Sequence, residues 1–391
     1  MKFLLIKAMA EAHGYSHFVN SIALALSELG HETVISDQSQ HVVNGAAPAI
    51  NVARDVQAAR CDVVLSFSSF FGAVQLDDGR PLFDALGVKF VGWQVDHPIY
   101  APQSLARSLQ NRLSLYANHN HTRFAQAIKV PGKSLSMLLG AEPPDLPLTA
   151  YKAREWPVLV AATWNGVPQR PWDAAPDTPA RRLLVGVIDR LLAHREASLL
   201  DAFNATVAQL GLSAQLGTSP AFDDQMISFL RDPLTYVRHV DRIELITRLA
   251  DAGFPLCICG AGWRDYLGER GNVTYVDRRV DFKDIAGLYN NAKIVINLNA
   301  GNGACERAIY GAMAGAAVVS DYSEQLSAFF EGSDGLASYN RAKPGHVVEA
   351  VGRLLESDRG EAMAARGHRR AMERGHWRHR AQQLVDFVAA D

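Results

Sequence analysis

Ile294–Asp321 reads IVINLNAGNGACERAIYGAMAGAAVVSD. Ile294–Leu298 is a short apolar run rich in β-branched residues, suited to a buried parallel strand. Asn299–Gly303 is a polar, glycine-containing turn at its carboxyl end. Cys305–Met313 has helix-forming composition, and Ala316–Ser320 returns as a strand. Strand, loop, helix and strand in that order make the chain α/β. In open sheets of this kind, ligands bind beyond the carboxyl ends of the strands.

Glu306 and Arg307 open the helix, where unpaired backbone N–H groups and the helix dipole favour an anion. A carboxylate and a guanidinium there divide the work, Glu306 to sugar or ribose hydroxyls and Arg307 to phosphate. The alternative is an Arg–Glu pair on a solvated helix end.

The pattern NLN…G…ER…AMAGAAVVSD, with a distal HWRHRAQQL at 376–384, resembles the carboxyl-terminal domain of GT-B glycosyltransferases. Within the group 1 type, the resemblance is to the CgeB-like branch, named for a spore-maturation protein. It is good over Val273–Leu384, weaker back to Pro157, and only a matter of layout in the amino-terminal half. The resemblance implies two Rossmann-like domains with parallel sheets facing across a cleft, the second holding a nucleoside-diphosphate sugar. The implied reaction is hexosyl transfer to an acceptor nucleophile on a glycan, lipid, protein or small molecule. It implies no cofactor and no metal. The nearest candidate for a DxD-type carboxylate pair, Asp77-Asp78, is followed by Gly79-Arg80-Pro81 and reads as an ordinary turn.

A chain of 391 residues has length for two or three domains. Its 39 basic and 41 acidic residues argue against a polyanion-binding surface, and hence against a nucleic-acid partner. Cys61, Cys257, Cys259 and Cys305 form no CxxC pair and no disulfide framework, as in a reduced, cytoplasmic protein. Met1–Ala10 is too short, and interrupted too soon by Glu11 and His13, for a signal peptide or membrane span.

From the start of the chain, Lys2–Ile6 reads as a strand, Ala10–Tyr15 as a loop, Ser16–Leu29 as a helix ended by Gly30, and His31–Ser36 as a strand. The loop holds Gly14 beside His13, giving close backbone approach to a ligand, but no G-x-G-x-x-G. A dinucleotide cofactor, and with it an NAD-dependent dehydrogenase, is disfavoured. Asp62–Phe67 and Lys89–Val95 are further strands. The second runs into Asp96-His97-Pro98, where proline stops the strand and the polar pair sits at the functional edge. Asp96 acts as general base or orients His97 in that role. Alternatively, the segment is a turn in which Asp96 caps the following helix. His119-Asn120-His121 reads as a loop, lacking a third metal ligand nearby.

Around Pro143–Trp156 three prolines appear and apolar periodicity lapses, which places a domain boundary near 150. Residues 1–150 form the acceptor-side domain, 151–375 the donor-side domain and 376–391 a final helix. By the resemblance, that helix packs back on the first domain through Trp377. Pro157–Ala162 is the first strand of the second domain. It ends in Thr163-Trp164-Asn165-Gly166, which matches the family's first donor-facing loop. A helical insertion at about 175–250 follows, with patterns over Arg181–Leu212 and Asp224–Ala252 and no assignable function. Phe254–Cys259 is a strand closed by Gly260-Ala261-Gly262-Trp263, whose glycines let backbone approach a phosphate or base. Val273–Val276 leads to Arg278 and Arg279, where relatives contact the base; the alternative is a solvated charge run. Beyond these, Asn299, Asn302 and Gly303 complete the donor set with Thr163, Asn165 and Trp263.

One position departs from the family. Many retaining relatives carry a second glutamate one or two helical turns beyond the first, and here Tyr310, Gly311 and Ala314 stand in its place. Rival readings are an epimerase-like enzyme acting on a nucleotide sugar alone, and a non-catalytic binding or scaffold protein.

Overall fold

The computed structural model describes residues 1–11, 13–40, 49–100, 105, 108–212, 224–278, 280–299, 304–343, 345–356 and 358–391. The chain divides into two compact units, one of Met1–Ala141, Asp281–Lys283 and Gly375–Asp391, the other of Glu142–Val280 and Asp284–Arg374.

The first unit is built on β1 (Lys2–Lys7), β2 (Glu32–Asp37), β3 (Val63–Phe67), β4 (Lys89–Gln94), β5 (Arg112–Tyr116) and β6 (Lys133–Ser136). All pairings are parallel, in the order β2-β1-β3-β4-β5-β6. The order reverses at β1/β3, so ligand-facing loops belong after those strands. FLLI of β1 and VVLSF of β3 are fully buried, where strands are read at Lys2–Ile6 and Asp62–Phe67. Helix Gly14–Glu28 starts on His13, whose ring nitrogen accepts from the Tyr15 N–H, and stops before Gly30 at φ +84°.

Helix Trp377–Ala389 belongs to this unit. Trp377 packs among Phe18, Phe67 and Trp93 with ring centroids 5.5–6.1 Å apart. Gly140 lies beneath it, and a Cβ there would fall 2.5 Å from the indole.

The second unit holds β7 (Trp156–Ala161), β8 (Leu256–Cys259), β9 (Val273–Val276), β10 (Ala292–Asn297), β11 (Ala317–Asp321) and β12 (Ala337–Tyr339). The order β12-β11-β10-β7-β8-β9, again all parallel, is the dinucleotide-fold order, with its reversal between β7 and β10. On one face of this sheet, Val158 and Val160 of β7, Leu256 and Ile258 of β8, Ile294 and Ile296 of β10 and Ala317 and Val319 of β11 form one core with the helices that cover them. Between β7 and β8 run helices Pro179–Ala193, Leu199–Gln209 and Asp224–Asp251.

Residues 142–150 group with the second unit. Asn290 bonds the Thr149 N–H and the Pro147 carbonyl, and Arg154 bonds the Thr149 carbonyl. The prolines mark the boundary region, but these hydrogen bonds set the crossing earlier, at Ala141.

His119-Asn120-His121 is the first turn of helix His119–Ala127 rather than a loop. Asn118 caps it by accepting from the His121 N–H at 3.0 Å, a start signal the histidine cluster obscured. Strands β5 and β6 and helix Ala49–Ala59 are further elements that the sequence pattern leaves unassigned.

Candidate active site at the carboxyl edges of the two sheets

The turn after β7 is tied to the turn after β8. Trp164 donates its backbone N–H to the Ala261 carbonyl at 3.1 Å, and the buried Trp263 indole donates to the Ala162 carbonyl at 2.6 Å. A Cβ on Gly260 (φ +146°) would lie 2.2 Å from the Ala162 oxygen, and one on Gly262 (φ +88°) 2.8 Å from the Trp164 ring. The close approach these glycines permit is thus between two turns of the chain itself. Gly262 also donates its N–H to Asp277 at 2.9 Å. Trp263 is 0% exposed and anchors the pair of turns, whereas Thr163 and Asn165 are exposed at the sheet edge. Trp164 stacks on the half-exposed Tyr266 at 4.2 Å. Arg278, just past β9, is exposed, and Arg279 lies outside the described residues.

After β10, the Asn299 N–H bonds the carboxylate of Asp321, the last residue of β11. Asn302 and Gly303 lie outside the described residues. Helix Glu306–Met313 then begins at Cys305 without a side-chain cap. Arg307 reaches back to donate to the Leu298 carbonyl at 2.8 Å, and Glu306 accepts from the Cys305 thiol at 2.9 Å. Burial pushes that thiol up to about 12, with Arg307 opposing and Glu306 reinforcing, so it stays a donor. Both Glu306 and Arg307 are half-buried and held to the strand end, unlike a solvated ion pair.

In the first unit, Gly14 begins helix Gly14–Glu28, and a Cβ there would sit 3.1 Å from the Phe282 ring. Asp96 is exposed beyond β4 and accepts from the Tyr15 hydroxyl at 2.8 Å. His97, its neighbour in sequence, faces His121 and Phe124 instead, with ring centroids 4.9 and 4.7 Å away. Burial holds the His97 imidazole well below its ordinary value; His121 adds to this and Asp96 opposes. Its Nδ1 accepts from the Ile99 N–H at 3.2 Å, which leaves the neutral ring's proton on Nε2. His97 is therefore arranged as a donor and turn cap. The capping role weighed for Asp96 falls to His97.

Asp78 accepts from the Arg80 N–H at 3.0 Å and closes a turn. Among the described residues, no group of three or more His, Cys, Asp or Glu is placed to hold a metal, and no helix is long and apolar enough to cross a membrane.

Residues 238–386 match a family model described as glycosyl transferase-like. No curated protein matches the chain. Among solved structures, the sucrose-phosphate synthase of Thermosynechococcus elongatus aligns over 100% of this chain and 98% of its own, with TM-score 0.57 at 11% identity. A glycosyltransferase from Rickettsia africae aligns over 99% and 97%, with TM-score 0.54 at 8% identity. HepE from Anabaena, in complex with UDP and glucose, aligns over 100% of both chains, with TM-score 0.53 at 12% identity.

The fold is GT-B. Within this GT-B chain the missing second glutamate has a packing cause. A Cβ on Gly311 would lie 3.2 Å from Val295 of β10, while Tyr310 and Ala314 are 4% and 1% exposed. That face of the helix is committed to the sheet and has no room for a solvated carboxylate.

The GT-B carboxyl edge also carries a buried ion network that motif reading missed. Asp241, on helix Asp224–Asp251, bonds Arg195 and, at 2.6 Å, Arg341. Arg341 Nε lies 3.5 Å from Asp321, and Arg195 also bonds Glu244 at 2.9 Å. Burial pushes the Asp321 carboxyl up to about 7, with Arg341 and the Asn299 N–H opposing. A small pocket of about 20 Å³ borders the network, lined by Arg195, Asp241, Arg248, Leu298, Tyr339 and Arg341, among others. The partners stand 46, 100 and 20 positions apart, too far for any local pattern to join them. The one visible signal is the acidic residue that ends the apolar strand AVVSD.

Proposed function

We propose that the protein is a glycosyltransferase that moves a sugar from a nucleoside-diphosphate sugar to an acceptor nucleophile, without a metal. The observation that carries the reading is the seat of Arg307. Its guanidinium is anchored on the Leu298 carbonyl at the end of β10, beside the open amino terminus of helix Glu306–Met313. Departure of a nucleoside diphosphate builds negative charge on its terminal phosphate. A fixed cation and backbone N–H groups stabilise that charge without reorganising. The glycosyl transferase-like match over 238–386 contains this seat, and a structural neighbour is in complex with UDP and glucose.

In this reading Glu306 takes hydroxyls of the donor, and Thr163, Asn165, Arg278 and Asn299 line its approach. The first unit holds the acceptor, and Asp96 removes its proton if the reaction inverts. The motifs ER…AMAGAAVVSD and HWRHRAQQL favour the CgeB-like branch and a hexosyl donor. Four free cysteines, three of them buried, suit a cytoplasmic enzyme.

A thermal-shift panel of UDP, GDP, dTDP, CDP and ADP, each with and without magnesium, tests the reading. A ligand that binds only the folded state raises the midpoint by mass action. A magnesium-independent shift with one nucleotide supports it and names the base. No shift with any of them overturns it. The second reading is a nucleotide-sugar-binding protein without turnover, favoured by the packed face at Gly311. It predicts the same shift with no release of nucleoside diphosphate from the sugar donor in the presence of acceptors.

A further inference from the structure

Asp241 and Arg242 are consecutive on helix Asp224–Asp251, in the insertion to which the sequence assigns no role. Successive helical side chains diverge by about 100°, so one turn of helix can reach two separate loops. Arg242 donates to the Thr163 carbonyl at 2.9 Å and so holds the turn after β7. Asp241 bonds Arg341, Arg341 faces Asp321, and Asp321 accepts the Asn299 N–H at the start of the segment after β10. Strands β7 and β10 are hydrogen-bonded neighbours, and the strand order reverses between them. The helix thus grips both loops that flank the reversal. The grip is dry: Asp241 and Asp321 side chains are 2% and 1% exposed, and that of Arg341 is 7%.

We propose that helix Asp224–Asp251 is the positioning element of the donor site, with Arg242 setting the Thr163 turn and Asp241, through Arg341 and Asp321, setting Asn299. This rests on the donor reading given above. Buried, charge-assisted hydrogen bonds hold backbone more tightly than exposed ones, and such outer supports keep ligand-facing groups in register. Arg242, Asp241, Arg341 and Asp321 are positioning residues, since each acts through a loop.

The test compares wild type with Arg242→Met, Arg242→Lys and Asp241→Asn by hydrogen exchange without ligand, then by titration with the nucleoside diphosphate that binds wild type best. The Trp164 amide reports the first turn and the Asn299 amide the second. Arg242→Met should speed exchange at Trp164 and leave Asn299 protected, and Asp241→Asn should do the reverse. Each should weaken nucleotide binding about tenfold, a typical effect of misplacing a supporting contact. Arg242→Lys, still able to reach the carbonyl, should recover most of the protection and affinity. If Asp241→Asn does not fold, Arg341→Lys probes the same limb. Unchanged exchange at both reporters, or a uniform rise across the second unit, overturns the proposal. Loosened turns with unchanged affinity also overturn it. Wild type that binds none of the five nucleotides sinks the donor reading instead, while the exchange pattern still decides whether the helix sets the turns.

Discussion

The two sheets present their carboxyl edges in different ways. At the second sheet, the turns after β7 and β8 and the residues just past β10 are held by contacts from elsewhere in the chain: Arg242 to Thr163, Trp263 to Ala162, Arg307 to Leu298, Asp321 to Asn299. At the first sheet, the turn after β3 is likewise locked, with Ser69 accepting from Gln94 and Arg112. The polar residue exposed beyond β4 is different in kind. Asp96 is exposed and joined to Tyr15 at the surface, and His13 and His97 cap only their own turns. Rigid, dry support suits one demanding ligand held the same way each time. A solvated carboxylate on a firm base suits a partner whose proton must be taken and whose shape can vary.

The sharpest way to break this comparison is Asp96→Asn. If the first edge supplies the base, transfer should fall by about 10²–10⁴-fold while donor affinity stays put. Turnover that survives would reduce Asp96 to a surface partner of Tyr15. The support at the second edge should itself titrate. Asp321 has a folded-state value of about 7 against an ordinary 3.8, raised mainly by burial. Its contribution to stability is complete below about pH 4, is lost as pH rises from 4 to 7, and is level above. A displacement of that size corresponds to roughly 4 kcal/mol across that window. The groups facing it are the Arg341 guanidinium, the Tyr339 hydroxyl, Ser320 and the Asn299 N–H. Denaturation of wild type and Asp321→Asn at pH 4, 5.5 and 7 should show that part of the slope vanish in the variant; equal slopes refute it.

Next in size, Arg307→Ala should weaken nucleoside-diphosphate binding by roughly 2–4 kcal/mol, the scale for truncating one partner of a buried charged contact. Calorimetric affinity equal to wild type would remove Arg307 from the phosphate role. The smallest effect tests the coupling of turns. Gly260→Ala forces a Cβ toward the Ala162 carbonyl at a φ of +146°, and should cost about 1–3 kcal/mol of stability, read from chemical denaturation. An unaffected midpoint would mean that the turns after β7 and β8 move independently.

How much of this was legible depends on the range of the interactions. Buried parallel strands announce themselves as apolar runs, so β1, β3, β7, β8, β10 and β11 could be read directly. Turn chemistry exposed Gly260, Gly262 and the Asp96–Pro98 stop. The capping of His119–His121 by Asn118 was equally local but masked by a more conspicuous cluster. His97 reads as a base by type and proximity, yet a single backbone N–H decides its tautomer, and only coordinates show that bond. The ion network on Asp241 lay beyond any local rule, because its partners meet only when the sheet is assembled.

The placement of Trp377 reaches beyond catalysis to biosynthesis. Phe18, Phe67 and Trp93 gather round a ring that leaves the ribosome after everything in the second unit. While the chain is being made, the first sheet carries an unfilled aromatic socket, and the second unit can close upon itself in the meantime. The last helix is the stopper of the first domain. A ribosome that stalls before residue 377 would release a chain whose earliest-made half is the one left open.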